Sequence, residues 1–574
     1  MNVNYQLTTL LICAILSILL DKFILLTTLI IYWMSRTGFS LTVQIAFVAL
    51  FVVGNMCYLV YTNKFMYDVF FKYKLYGGKL PQKVMQEKIG NRQIMKVRYG
   101  DGIAIIVQDI DSKLKQAHNC HSNKKLINLR AKQPSFKNLT HNSEELYHKI
   151  DAVFSHKPKK ILKNWMNKNF IKKTNRDKII NNLTDNLNKI ETFIDEKTRE
   201  INIDYFVRHV LASSITKNVF GYELKIGSEQ CESLCCIWDD LFKYSGFNLF
   251  ADCFPNLFNN ELILMLISSD YIKLKNAAVK RDMYCFKKIE YILINLHRID
   301  KLKENKMTDN DKMTKNDEMI NDCMVAKYIR YLSTGNNGLP EVIKSKNEPY
   351  NPNHNFVWYL IKLKLFGKKE DVKYMRYKYF IMDVMMMIGD LLAASYETTL
   401  SSTKWAFRYV NKFQNEQVKI HNKLNECIGE SNKHKIKELH NFLIEVMRKC
   451  PVAPFGIPHE KKIKGGKNTT YIYYNYGIQH NSNIFTNPDK FSPDRWNETN
   501  KIKLSNMYKN MRQFGNGERA CPGRILGEDI YFTIFSFIIR KYKLQSVKTI
   551  PDMFHGSSIA ISFVPHESMV VALI

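Results

Sequence analysis

The apolar positions of this chain fall into runs of different length and period. Residues 7–34 and 41–61 are almost continuously apolar, and the second run carries no charge over its 21 residues. That length matches the ~20 residues a helix needs to cross a bilayer. Asp21 and Lys22 interrupt the first run, and each costs ~2.5–3.5 kcal/mol at a bilayer centre. The two runs therefore read as a hairpin of two spans, or as one span behind an interfacial segment. Residues 380–410 form an apolar run long enough for one buried helix through a core, and residues 525–539 read as a second apolar helix. Around Gly100 and Gly102, residues 95–107 read as two short strands joined by a turn. Polar residues 301–321 and the Gly- and Pro-bearing residues 333–354 read as solvated loops, with a short helix between them over 322–332. Residues 556–574, around Pro565, read as a closing hairpin. The pattern predicts a mainly helical fold with small sheets, behind an N-terminal anchor at 1–61.

Charge orients the anchor and narrows the partners. Lys64, Lys72, Lys74, Lys79 and Lys83 follow the second apolar run, whereas residues 1–20 hold no basic side chain, which places the following domain, 62–574, in the cytosol. A cleaved signal peptide fits poorly, for lack of a basic first region. The formal net charge of +30 points to an anionic membrane face, an acidic protein partner or nucleic acid. No basic–aromatic signature of nucleic-acid binding accompanies it; a lysine- and asparagine-rich composition showing through a tolerant surface accounts for it equally well. The 12 cysteines are scattered, and Cys231, Cys235 and Cys236 have no second cluster at zinc-ligand spacing. They read as reduced core thiols of a cytosol-facing domain.

The chemistry concentrates in Phe514-Gly-Asn-Gly517-Glu-Arg519-Ala-Cys521-Pro-Gly523. Its glycines let backbone approach a flat partner. A thiolate just ahead of a helix is favoured by the helix N-terminus, which suits a metal ligand more than a free thiol. Glu445 and Arg448, at i and i+3, share one helix face, and Pro451 ends that helix. Asn487-Pro-Asp-Lys-Phe-Ser-Pro-Asp-Arg495-Trp496 follows. Inside the 380–410 run stands Ala393-Ala-Ser395-Tyr-Glu397-Thr398-Thr399, an acid followed by hydroxyls where buried polar groups need a partner or a task.

The spacing Phe-x-x-Gly-x-Arg-x-Cys-x-Gly resembles the haem-binding loop of the cytochrome P450 family, and the other two motifs follow that family's order. The resemblance covers nearly all the chain after the anchor. Residues 207–221 and 246–257 are similar to its middle helices, most like the animal microsomal drug- and steroid-metabolising branch. It implies haem b held by Cys521 as axial ligand, within a loop that includes Phe514 and Gly517. Arg519 and His459 would meet the haem propionates, and Lys159 is a further position near the expected contacts. Glu445, Arg448 and Arg495 would form a buried triad that retains haem without doing chemistry. Thr398 would hydrogen-bond dioxygen or a water beside it, and Glu397 would relay protons. Ser395 departs from the family's usual glycine, so a side chain stands where it can crowd the oxygen site or alter the helix. The implied activity is a monooxygenase of the endoplasmic reticulum membrane. Electrons would come from NADPH through a cytochrome reductase, with cytochrome b5 as a further donor, and the substrate would be a lipophilic small molecule drawn toward a lining that includes Met385, Met386 and Met387. An isomerase or dehydratase working without a reductase, and an idle membrane scaffold of the same fold, remain the alternatives.

Overall fold

The computed structural model describes residues 40, 42–43, 46, 50, 61–71, 79–99, 102–108, 172–245, 265, 268–304, 314–323, 325–327, 372–427, 436–456, 459–461, 469–515, 520–547, 556–557, 564–565 and 569–573. Residues 7–34 lie outside them. Of 41–61 only 42, 43, 46, 50 and 61 are described, all helical. Among the described residues no helix is long and apolar enough to cross a membrane.

Helices dominate, and the longest organises the rest. In chain order they include α1 (Pro81–Ile89), α2 (Lys173–Leu187), α3 (Ile203–Phe220), α4 (Glu229–Ser245), α5 (Ser269–Glu304), α6 (Lys315–Asp322), α7 (Val372–Lys412), α8 (Gln414–Glu426), α9 (Lys437–Lys449), α10 (Asn475–Gln479), α11 (Lys501–Lys509) and α12 (Arg524–Lys541). The 41 residues of α7, at 1.5 Å of rise each, give a rod about 60 Å long. It contains the whole apolar run expected at 380–410, and α3, α4, α5, α9 and α12 pack along it. Phe407 of α7 stacks on Phe535 of α12 with centroids 5.6 Å apart, and Phe442 of α9 stacks on the same ring at 5.5 Å. Three helices are thereby pinned at one aromatic contact, with Phe491 meeting Phe442 edge-on.

The small sheets sit at the edge of this bundle. Strands β1 (Ile94–Tyr99), β2 (Gly102–Val107), β4 (His459–Lys461) and β5 (Thr469–Tyr473) form one sheet in the order β1-β2-β5-β4. The β1–β2 hairpin is antiparallel, Ile94 opposite Val107, as the glycine-centred pattern predicts. β2 runs parallel to β5, Ile103 opposite Thr469. The second sheet is β3 (Glu200–Asn202), β9 (Val570–Leu573) and β6 (Leu544–Ser546), in that order.

Two local expectations change. Residues 301–321 are not all loop: α5 continues to Glu304 and α6 begins at Lys315. Thr314 accepts from the Asp317 N–H while the Asp317 carboxylate accepts from Thr314, a capping box that starts a helix despite its polarity. Cys323 caps α6, and of the helix expected over 322–332 the described residues 325–327 are helical. At the C-terminus, β7 (Gly556–Ser557) and β8 (Val564–Pro565) do pair as a hairpin, but β9 leaves it for the second sheet. Gly221 ends α3 with φ +65°, and a Cβ there would stand 2.5 Å from Met319 O, so only glycine lets α6 approach this closely.

Candidate active site

Glu445 and Arg448 lie on the inner face of α9 with no exposed surface. Arg448 Nε and Nη2 donate to the two oxygens of Glu445, both at 2.9 Å. Such a fork-to-carboxylate pair fixes direction as well as distance. Arg495 Nε reaches Glu445 Oε1 at 3.0 Å, so the structure brings together all three members of the triad. Two further donors complete the carboxylate: the Ser492 N–H at 3.0 Å and Trp496 Nε1 at 3.1 Å. The guanidiniums spend their other hydrogens on main-chain oxygens. Arg448 donates to Gln479 O and Pro488 O, both at 2.8 Å, and Arg495 to Thr486 O at 2.7 Å and Lys490 O at 2.9 Å.

Gln479 connects this network to the cysteine loop, and sequence reasoning missed it. Its Nε2 donates to Met447 O at 2.9 Å, while its Oε1 accepts from the Arg512 N–H at 2.9 Å. From Arg512 the chain turns through Gly515, whose φ of +67° favours glycine, and the Gly515 N–H donates to Arg512 O at 2.9 Å. The Cys521 N–H then donates to Phe514 O at 2.8 Å, closing the loop onto itself. A glutamine in a polar stretch carries no periodic signal, so only the fold could reveal it. Gly517 and Arg519 lie outside the described residues. His459, expected at a haem propionate, opens β4 opposite Tyr471.

Cys521 ends this loop just before α12. The residue is exposed, yet enough atoms surround its sulfur that desolvation pushes the thiol above its usual value, against a Gly523 N–H that favours the thiolate. Ile525, in the first turn of α12, is 40% exposed, and a Cβ at Gly527 would meet nothing within 4 Å. A soft sulfur donor beside an open glycine and an exposed apolar side chain fits a flat, largely apolar group carrying a thiolate-loving metal. No group of three or more His, Cys, Asp or Glu able to hold a metal ion occurs among the described residues.

Thr398 sits in the middle of α7 and is exposed, as is Ala394 one turn earlier, although Leu392, Tyr396, Glu397 and Leu400 around them are buried. A core helix thus carries a short open face. The Thr398 hydroxyl donates to Ala394 O at 2.6 Å. Ser395 is half-buried, and its hydroxyl turns back to Leu391 O at 2.6 Å. The side chains of Met385, Met386 and Met387 lie outside the described residues.

A mainly helical fold in which one thiol, at the end of a glycine loop, opens a core helix belongs to the haem-thiolate class. The Cytochrome P450 family model matches residues 118–570, and the chain belongs to that family, with haem iron as its cofactor. Similar proteins include the human steroid 17-alpha-hydroxylase/17,20 lyase, 27% identical over 182 residues, which are 29% of this chain and 35% of that one. The (S)-canadine synthase of Coptis japonica is 27% identical over 201 residues, 31% of this chain and 41% of that one. The steroid 17-alpha-hydroxylase/17,20 lyase of Bison bison is 26% identical over 243 residues, 39% of this chain and 46% of that one. In each case the matched stretch is less than half the relative's length. A zebrafish cytochrome P450 solved with progesterone superposes with a TM-score of 0.58 at 15% identity, covering 87% of this chain and 100% of the other, a likeness of fold alone.

Two outcomes follow from the triad and its surroundings. Arg448→Ala leaves the Glu445 carboxylate buried without its closest cation, which costs ~3–5 kcal/mol. The expected result is a large drop in the urea midpoint together with loss of bound haem; a variant that unfolds like wild type would assign the pair no structural weight. The second outcome concerns pH. His480, buried and stacked on Tyr476, is held well below its ordinary value by desolvation and by the charges of Lys449 and Arg448. Its folded value lies below the unfolded one, so the stability it contributes is present above about pH 6.5 and is lost as pH falls below it. Denaturant midpoints measured from pH 7 to pH 5 should decline for wild type and decline less for His480→Gln.

Proposed function

We propose that this chain is a membrane-bound monooxygenase that places one oxygen atom from O2 into a lipophilic substrate, with electrons from NADPH delivered by a cytochrome reductase. The observation that carries this reading is the pairing of a loop-held thiol at Cys521 with an open, hydroxyl-bearing face at Thr398 on the central helix. Haem iron, when bound, supplies oxygen activation. Cys521 would be its protein ligand, with Phe514, Gly517 and Gly523 shaping the loop and Arg519 and His459 meeting the propionates. Glu445, Arg448 and Arg495 would hold the loop in place from behind through Gln479. Thr398 would present a proton from its hydroxyl, and buried Glu397, its neighbour in sequence, would resupply that proton from solvent. Ser395, its hydroxyl engaged with Leu391 O, leaves the Thr398 side open, which supports ordinary oxygen chemistry. Residues 1–61 would anchor the domain to the endoplasmic reticulum membrane on its cytosolic side. The names of the similar proteins, a steroid hydroxylase and an alkaloid-forming synthase, support a bulky, largely apolar substrate.

The class is tested by the carbon monoxide difference spectrum of the reduced protein and by NADPH-dependent turnover with a reductase. Wild type should show the thiolate band, and Cys521→Ser should lose it, because a largely protonated hydroxyl is a poor ligand. Retention of the band in the variant would displace Cys521 as ligand; product formation without NADPH would favour the isomerase reading. Thr398→Ala should keep consuming NADPH while peroxide rises at the expense of product, since positioned proton transfer contributes ~10²–10⁴-fold. Unchanged coupling would transfer that role to another group.

A further inference from the structure

The open side of α7 holds more hydroxyls than the chemistry assigned to Thr398 uses. Between residues 391 and 402, Ala394 and Thr398 are exposed and Leu391, Ser395, Thr399 and Ser402 are half-buried. At about 100° of turn per residue these positions fall on one side of the helix. Three of its hydroxyls turn their hydrogens back along the chain: Ser395 to Leu391 O at 2.6 Å, Thr398 to Ala394 O at 2.6 Å and Ser402 to Thr398 O at 2.9 Å. A carbonyl only accepts, so the hydrogen of each bond belongs to the hydroxyl, and lone pairs are what remains for an outside partner. Ser395 is doubly held, because Leu392 O stands 3.3 Å from the same oxygen and meets the hydrogen if it leaves Leu391. Leu391 and Ala394 share this side of the helix, so the acceptor lies beside apolar side chains.

We propose that Ser395 sets substrate preference by accepting a hydrogen bond from a hydroxyl group of the substrate, so that the class taken best is a lipophilic alcohol. The proposal rests on reading the open side of α7 as the substrate side of the haem site, and it deepens that reading. An apolar molecule lying on this side drives water from the Ser395 oxygen. An ether or ketone of the same shape brings only acceptors and leaves that oxygen unsatisfied. An alcohol brings the missing donor, and the bond gains strength from its half-buried surroundings. A site built to hydrogen-bond a substrate hydroxyl rejects the analogue lacking it far better than an apolar pocket discriminates by shape. Thr398 serves this purpose less well, since its hydroxyl is needed beside the reacting oxygen. The glycine usual at this position in the family has no side-chain acceptor, so the preference belongs to this chain's departure from the pattern.

The test is equilibrium dialysis of full-length protein expressed with haem, as wild type, Ser395→Ala and Ser395→Thr. The ligands are three matched pairs, each an alcohol and its methyl ether: adamantanol, dodecanol and androstanol. Comparing the alcohol-to-ether ratio between variants cancels the added methyl group, as in a double-mutant cycle. For at least one pair, wild type should favour the alcohol about 5-fold more than Ser395→Ala does, the worth of one neutral hydrogen bond. Ser395→Thr, which keeps the hydroxyl, should retain the preference. An alcohol preference missing from wild type, or one that survives in Ser395→Ala, overturns the assignment; the second outcome is also what direct ligation of the alcohol to iron would give. Dialysis needs neither oxygen nor electrons. A wild type lacking the thiolate band in its reduced carbon monoxide spectrum therefore overturns the haem reading itself, and the two failures are told apart.

Discussion

The carboxylate of Glu445 is the point on which the catalytic half of the molecule hangs. Five donors converge on it, from α9, from the Ser492 N–H, from Arg495 and from Trp496. One negative charge between two guanidiniums leaves an excess positive charge in a buried place. The excess is met by main-chain oxygens of residues 479, 486, 488 and 490, toward which the remaining guanidinium hydrogens point. Buried ion pairs are weak sources of net stability, because desolvation consumes most of their attraction. What they supply here is position: the chain from 479 to 496, folded locally into turns and a 3-10 helix at Pro493–Asn497, is tied to α9 by these side chains.

That path is transmitted forward. Gln479 holds the end of α9 with its amide hydrogens and the Arg512 N–H with its oxygen. Arg512 begins the turn that ends at Cys521. The sulfur is thus located by a chain of short polar contacts behind it and by α12 ahead of it, whose Phe535 is clamped between α7 and α9. α7 thus carries the open face at Thr398 and, through Phe407 on Phe535, also steadies the helix that follows the thiol.

Much of this was legible before any coordinates. Glycines around one cysteine at a long, restrictive spacing are conspicuous by themselves and single out Cys521. The Glu445–Arg448 pair and the acid–threonine step at Thr398 are common patterns alone, and they and Arg495 stand out only through the family resemblance that the cysteine loop carries. Gln479 and the indole of Trp496 could not be singled out, because their role depends on main-chain atoms and on a carboxylate far away in sequence. The polar stretch near 301–321 misled for a different reason. High polarity outweighed a capping signal, Thr314 with Asp317, that was present and that the helix α6 uses, its few apolar side chains such as Ile320 being buried against neighbours.

The hydroxyls of α7 show how a departure from a family pattern can be absorbed. Ser395, Thr398, Ser402 and Thr403 each donate to the carbonyl four residues back, at 2.6–2.9 Å. Such back-bonding competes with the helix's own N–H groups and slightly loosens the turns it touches. A glycine at 395 would loosen the helix by lacking a side chain; a serine achieves part of the same effect by sharing the Leu391 carbonyl. For Thr398 the bond has a further consequence. With its hydrogen committed to Ala394 O, the hydroxyl presents only lone pairs to the open face, and it becomes a donor there only by rotating away from that carbonyl. The exchange forfeits a hydrogen bond of about 1 kcal/mol, small enough for an acceptor on the open face to repay.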